Sequence, residues 1–523
     1  MAIDDRKMID IGMQEKDLTG SDPESDEHQV TTVIDNNDQL KRHLGNRQIQ
    51  LIAIGGSIGT ATFVSITAGL TKDGPGSLFL AYTIYSCMMG LVNNCIAEMA
   101  VFMPVTGAFI RMAGKWVDES FGFWAGWNFF LYEALLIPFE ISALHLVLNV
   151  LNAFTVKWYG EAEFWLSTGK VILILIVFLF TFITMVGGNP KHDAYGFRYW
   201  KDPGSFAEHI TTGSLGRFEG FLGAVWSASF TVVGPEYISM VAGETKLPRR
   251  YLKTAFKTTY ARFAFFFIGS ALCVGIVIPS NDKTLLDILS GSSAGSGTAA
   301  ASPYVIAMNN LGISVLPHIT NALLVTSIFS AGNAYTYYWT RSLYGLSLQG
   351  QAPKILRKCT KKGVPIYCLF IVIHFPVSRF PQCVKWFGEG FNVVDEHYHC
   401  RSGYDRRTLP YYGYFQPYSA WIGLVWMTMV VCIYGYAVFL PGSWIVGDFF
   451  TYYTMVLLAP VLFFGWKLIK RTKFIKAQEA DLIWDRPVID AYEASFVEYA
   501  PGFWTEILQM FGFRRSRKEK RQI

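Results

Sequence analysis

The sequence predicts an all-α protein that crosses a membrane many times, and three observations carry that prediction. Of its 523 residues, 51% are hydrophobic, with a mean hydropathy of +0.28. Charged residues make up only 16%, against roughly 25% in soluble domains. The apolar residues fall in blocks of about 20, the length that spans a bilayer as a helix. The formal net charge of +5 decides little, because the charges sit in loops and tails.

The elements follow in chain order. Residues 1–37 are acidic (Asp4, Asp5, Asp22, Glu24, Asp26, Glu27) and lack the basic start and apolar run of a secretory signal. The stretch 1–48 is expected to be a disordered cytosolic tail. Apolar spans are expected near 49–70, 77–103, 122–151, 164–187, 216–242, 259–280 and 303–331, with a short run near 365–375. Final spans are expected near 418–440 and 446–468, so that 49–468 is the membrane domain and 469–523 a C-terminal tail. The densest basic loops are "KLPRRYLKTAFK", "PKILRKCTKKG" and "KLIKRTKFIK". The positive-inside rule puts them, and with them both termini, in the cytosol. The basic end "RRSRKEKR" suits either an anionic leaflet or plain solvent. The eight cysteines form no CxxC pair and read as small packing residues.

"AIGGSIGTATF" places Gly55, Gly56 and Gly59 inside the first span. Each glycine costs a helix interior about 1 kcal/mol relative to alanine. A helix broken in lipid also orphans backbone groups at several kcal/mol each, so a break persists only where it lines a polar cavity. Secondary transporters carry such breaks at corresponding places in two repeats. A second break is expected about five spans on, and "SFTVVGPEYISMVAGE" supplies it through Gly234-Pro235.

These blocks also carry a family likeness. The chain resembles the fungal amino-acid permeases of the amino acid–polyamine–organocation superfamily. The likeness runs from "LKRHLGNRQIQLIAIGGSIGT" to "DRPVIDAYEASF", through "AEMAVFMPVTGAF", "GFWAGWNFF", "VKWYGEAEFW", "AGETKLPRR", "SAGNAYTYYWTRSLYGLSLQGQAPK" and "GVPIY". "PFEISA" and "GNPKHDAYGFRYW" look most like the branch linked to polyamine and carnitine uptake. The resemblance implies a LeuT-like fold of inverted repeats with broken first and sixth helices. It implies proton-coupled uptake of amino acids or related amines at the plasma membrane. It implies no cofactor beyond the proton as coupling ion.

The implied roles carry over by position. Backbone N–H groups of Ser57, Ile58, Gly59 and Thr60 would meet a substrate carboxylate, with Ala61 where the family usually has glycine. Carbonyls near Thr231 and Val233, beside Gly234, would accept its ammonium, and Phe230 would cap it. Glu236 matches an acidic residue just past the break, and Asn333 a position near the ion pathway. A carboxylate deep in a membrane span is functional by default. Glu140, in "LLIPFEISALHLVL", is that residue and matches a proton-linked glutamate of the family. Glu133, seven residues earlier, shares its helical face. Glu98 and Pro104 read as fixing the second span and its loop, His145 as an intramembrane polar group, and His192 as exposed.

The sequence departs from the family in two places. A whole helix is missing after residue 150, where "HLVLNV" runs into "LNAFTVKWYGEAEFW", and parts of the ninth and tenth helices are missing within 374–407. His397, His399 and Cys400 lack a second ligand pair, so no metal is expected. A damaged gene model or a decayed paralogue would account for both departures.

Three function classes come into question. The first is a permease for a small-molecule substrate within the bilayer. The second is a non-transporting nutrient sensor on the same fold. The third, a membrane enzyme, finds no nucleophile–base pair, and no phosphate loop or nucleic-acid motif is present. Lys7 and Lys16 are sites where ubiquitination or trafficking machinery would reach the tail.

Overall fold

The computed structural model describes residues 38, 40–140, 156–290, 302–374, 408–476, 479–496, 505 and 508. For 135–140, 156–158, 373–374 and 451 it describes the backbone alone. The helix expected to be missing after residue 150, the 374–407 segment, His145, the N-terminal lysines and the basic C-terminus lie outside the described residues.

Among the described residues all regular structure is helical, as the apolar blocks predict. The strand-like contact is a parallel bridge between Leu44 and Thr245. Helix α1 (Asn46–Gly55) stops inside the first span, and the chain resumes through a wide π-turn, Ala61–Ser65, into α2 (Ile66–Phe102). Gly74 (φ 81°) interrupts α2, and Pro75 opens its second part. The chain has crossed and returned by Pro104, because Arg42 NH2 donates to the Pro104 carbonyl at 3.1 Å. A short helix, α3 (Ala108–Trp116), occupies what the sequence reads as a loop, and α4 (Glu119–Glu140) follows.

Helix α5 (Val156–Met185) starts earlier than the apolar run suggests. Helices α6 (Gly213–Thr231) and α7 (Pro235–Met240) are the halves of the second broken span. Helices α8 (Pro248–Arg262) and α9 (Gly269–Val277) join through a π-turn. After α10 (Lys283–Leu289), the span expected at 303–331 is two helices, α11 (Pro303–Asn310) and α12 (Leu316–Leu348). Gly312 (φ 78°) ends α11 with the double closure of Gly312 N to Asn309 O and Ile313 N to Met308 O, both 3.0 Å. That pattern satisfies the last carbonyls of a helix. Helices α13 (Ile366–His374), α14 (Tyr418–Ile433), α15 (Val446–Lys470) and α16 (Arg486–Ala494) complete the order. Ala61–Phe102, Tyr159–Met185, Pro248–Val277 and Tyr452–Lys470 are long and apolar enough to cross a membrane.

Helix α12 packs against α1, α4, α5 and α7 and organises the core. Tyr337, Tyr338, Trp339 and Tyr344 on it are wholly buried. Helix association in lipid gains little from the hydrophobic effect and relies on close packing and interhelical hydrogen bonds.

One face gathers both tails. Leu44 N donates to the Glu244 carbonyl and Lys246 N to the Leu44 carbonyl, both at 3.0 Å. Arg42 NH1 reaches the carbonyls of Ala242 and Thr245. From the other end, Arg249 pairs with Asp490 and Glu493, and Arg111 with Asp485 at 3.1 Å. Ile489 of α16 is buried with Met99, Phe102 and Trp116. The two ends meet where the Arg42 guanidinium lies 5.2 Å over the Tyr492 ring.

Candidate functional site

The site is built where the two broken spans touch. At the first break, Ser57 N and Ile58 N both turn back on the Ile54 carbonyl, at 3.1 and 3.0 Å. The break's carbonyls are claimed by neighbouring helices. Tyr338 OH donates to Ile52 O at 3.2 Å and Tyr335 OH to Gly56 O at 3.3 Å. Lys170 Nζ donates to Gly55 O. No side chain fits at Gly56, where a Cβ would lie 2.8 Å from the Tyr237 ring and 2.9 Å from that of Tyr338. At Gly55 the Glu163 carboxylate fills the same space. Two of the three glycines are therefore where helices α5, α7 and α12 close on the break.

At the second break α6 ends at Thr231, Val232 is extended, and Gly234 adopts φ 149°, open to glycine but strained for other residues. Gly234 faces the first break, since a Cβ on it would lie 3.1 Å from Ser57 Oγ. Gly234 N donates to Glu236 Oε2 at 3.1 Å, so Glu236 caps the break. Tyr82 OH donates to Thr231 Oγ1 at 2.9 Å and ties the end of α6 to α2.

A buried ionic cluster stands behind the first break. Glu163 and Lys170, seven residues apart on α5, have no solvent exposure. Glu163 accepts from Ser167 (3.1 Å), Ser330 and Asn333 (2.9 Å) while Lys170 holds the Gly55 carbonyl. One helix thus joins a carboxylate and an ammonium to both α12 and the broken helix.

The structure places the expected site residues as follows. Ser57 and Ile58 do not offer their N–H groups to a ligand, because the last turn of α1 uses them. That corrects the expectation for these two N–H groups. Phe230 stands half-buried beside the second break. Glu133 is fully buried on α4, in electrostatic reach of Tyr237 and Tyr338 beside both breaks. Asn333 serves Glu163, beyond plain packing. Glu140 ends α4, and its side chain lies outside the described residues. The sequence reading passes over Glu163 and Lys170, although the rule that singles out Glu133 applies equally to two charges inside an apolar span.

The geometry is matched by sequence comparison. The family model "Amino acid permease" matches residues 48–149 and 141–377. The chain belongs to the amino acid permease family. It is 40% identical to a general amino acid permease of Saccharomyces cerevisiae, over 87% of this chain and 84% of that one. It is 34% identical to a proline-specific permease of the same yeast, over 83% of this chain and 76% of that one. It is 31% identical to a lysine/arginine permease of Candida albicans, over 84% of this chain and 83% of that one.

The permease is thus an integral, multi-pass membrane transporter of a small molecule, not an enzyme. Chemically, the crossing of its breaks sets the carbonyl end of α6 beside the turn at Gly59 where the chain re-enters a helix. Phe230 and the tyrosines of α12 pack in the same apolar core.

Proposed function

We propose that this permease imports an amino acid, or a related amine, by alternating access driven by protons. The crossing of the two breaks, backed by Glu163 and Lys170, is the observation that carries the reading. The substrate carboxylate faces the turn opening at Gly59, and its ammonium faces the carbonyls of Thr231 and Val233. Phe230 closes over it. A proton arriving at Glu163 neutralises the carboxylate that balances Lys170. Lys170 is fastened to the Gly55 carbonyl, so a change in that balance acts directly on the first broken helix. Glu140 is the second proton-carrying candidate on α4. The basic loops set the tail face in the cytosol, and the plasma membrane is the proposed location. The relatives' names span general, proline and lysine/arginine permeases, so the family likeness leaves the side-chain preference open.

Uptake by the purified chain in liposomes tests this. Labelled proline, arginine and alanine are offered under an inward proton gradient. At least one should accumulate and be lost on adding a protonophore. Glu163→Gln and Glu140→Gln should each cut gradient-driven accumulation at least tenfold while leaving substrate exchange. No accumulation of any of the three by a folded chain that still binds one of them would refute transport. That result would favour a sensor, a reading supported by the direct pairing of Leu44, at the root of the tail, with Thr245 just beyond the second break.

A further inference from the structure

On the face opposite the tails, a cavity of about 730 Å³ opens between the first part of α2, α6, α14 and the start of α15. Its wall is mostly apolar and strongly aromatic, with Phe230, Trp226, Trp426 and Tyr434 among its lining. One acid stands out. Asp73 is 1% exposed, yet its Oδ1 has no hydrogen-bond partner among the described residues. The facing residue on α6 is Gly223, where a Cβ would lie 2.6 Å from Asp73 Oδ1. Glycine there leaves the carboxylate its place in the wall.

A buried carboxylate oxygen without a hydrogen bond is costly to keep charged, and a proton, a hydrogen bond or a bound cation relieves that cost. The other charged groups at the cavity do not meet that need. Glu219 is engaged by Thr211 through its N–H and hydroxyl, both at 2.8 Å. Lys72 is exposed at the rim and acts on Asp73 only through its field, without a hydrogen bond to Oδ1. His209, on the loop before α6, is held below its ordinary value by burial and by the Lys72 ammonium, which disfavours its charged form. Aromatic faces around an anionic group are the surroundings that organic cations select.

We propose that this cavity is a separate docking subsite for an organic ammonium ion, held by the Asp73 carboxylate against the aromatic wall. Its purpose rests on the transport reading: Phe230 is shared between the cavity and the second break, so an ammonium waiting here lies one ring away from the central site. Its existence does not rest on that reading.

Butylammonium is the probe, with butanol as its neutral counterpart. Binding to the purified full chain in maltoside micelles is read by tryptophan fluorescence, since Trp226 and Trp426 line the cavity. Wild type should show saturable quenching by butylammonium and none by butanol. Asp73→Asn should weaken binding at least tenfold, and Trp426→Leu about fivefold, with thermal melting confirming that each is folded. Equal affinity in Asp73→Asn, equal response to butanol, or no saturable binding by wild type would each overturn the proposal. Should Asp73→Asn fail to fold, the Trp426→Leu and butanol results decide it alone. Failure of liposome uptake would refute transport and leave the butylammonium isotherm as it is.

Discussion

At the scale of single residues, Gly234 ties the backbone of the second break to the first. Its φ of 149° and its approach to Ser57 leave no comfortable place for a side chain. Gly234→Ala is expected to lower stability by about 1–3 kcal/mol through backbone strain. It should also cut uptake more sharply than expression. Melting in detergent and uptake per folded molecule measure the two effects separately. The importance of this residue was legible, because a proline in mid-span removes a helix hydrogen bond and a glycine before it lets the chain turn. The roles of Ser57 and Ile58 were not. Whether an N–H at a break is open or turned back depends on how far the preceding helix winds, and composition does not record that. Glu163 and Lys170 were readable in principle. Lys170 lies inside the expected span and Glu163 just before it, where charge is easily taken for a loop, and the early start of α5 puts Glu163 inside as well.

Among the elements, the clearest link lies at the turn before α4, which is anchored to the end of α15. Asp118 is buried there, against Lys467, Thr472 and the Ser120 N–H. Burial alone would push its carboxyl up, but the Lys467 ammonium and the two hydrogen bonds outweigh it and hold the group below its usual value. The sign follows from linkage. A carboxyl lowered by folding adds stability above its unfolded pKa of about 3.9. That contribution is lost as pH falls through the lower, folded value. Melting temperature followed downward from about pH 6 should therefore drop in wild type. Asp118→Asn should start lower and show a shallower drop. A parallel pair of curves would contradict this account. The division of 303–331 into α11 and α12 is an element-scale lesson too. Gly312 and Pro317 were visible in the sequence, but an apolar run reads as one span until its carbonyls are seen to close at Gly312.

The molecule as a whole was the most legible level. Apolar blocks and two interrupted spans predicted an all-helical transporter with paired breaks, and the structure brings those breaks into contact. Its length is where the chain remains at odds with its family. The family match falls into two stretches that meet within 141–149, next to the place where a helix is expected to be missing. If the coding sequence has lost a segment there, the native transcript should encode about 20 further apolar residues, one span, after residue 150. It should also encode a different, apolar stretch in place of 374–407. Sequencing the native message across both regions checks this. A transcript identical to the present chain would leave the inverted repeats incomplete and favour sensing over transport.

The meeting of Arg42 with Tyr492 has a practical consequence. The N-terminal segment is stitched to the chain just beyond the second break, and the C-terminal helix leans on that same segment through an aromatic ring. The described parts of the two tails therefore form a strap whose buckle sits beside the chain just beyond the second break. A fusion or truncation that removes residues 40–44 or 486–496 is expected to loosen this joint, which lower melting in detergent would show. Affinities measured on a trimmed chain will consequently belong to a looser protein than the one in the cell.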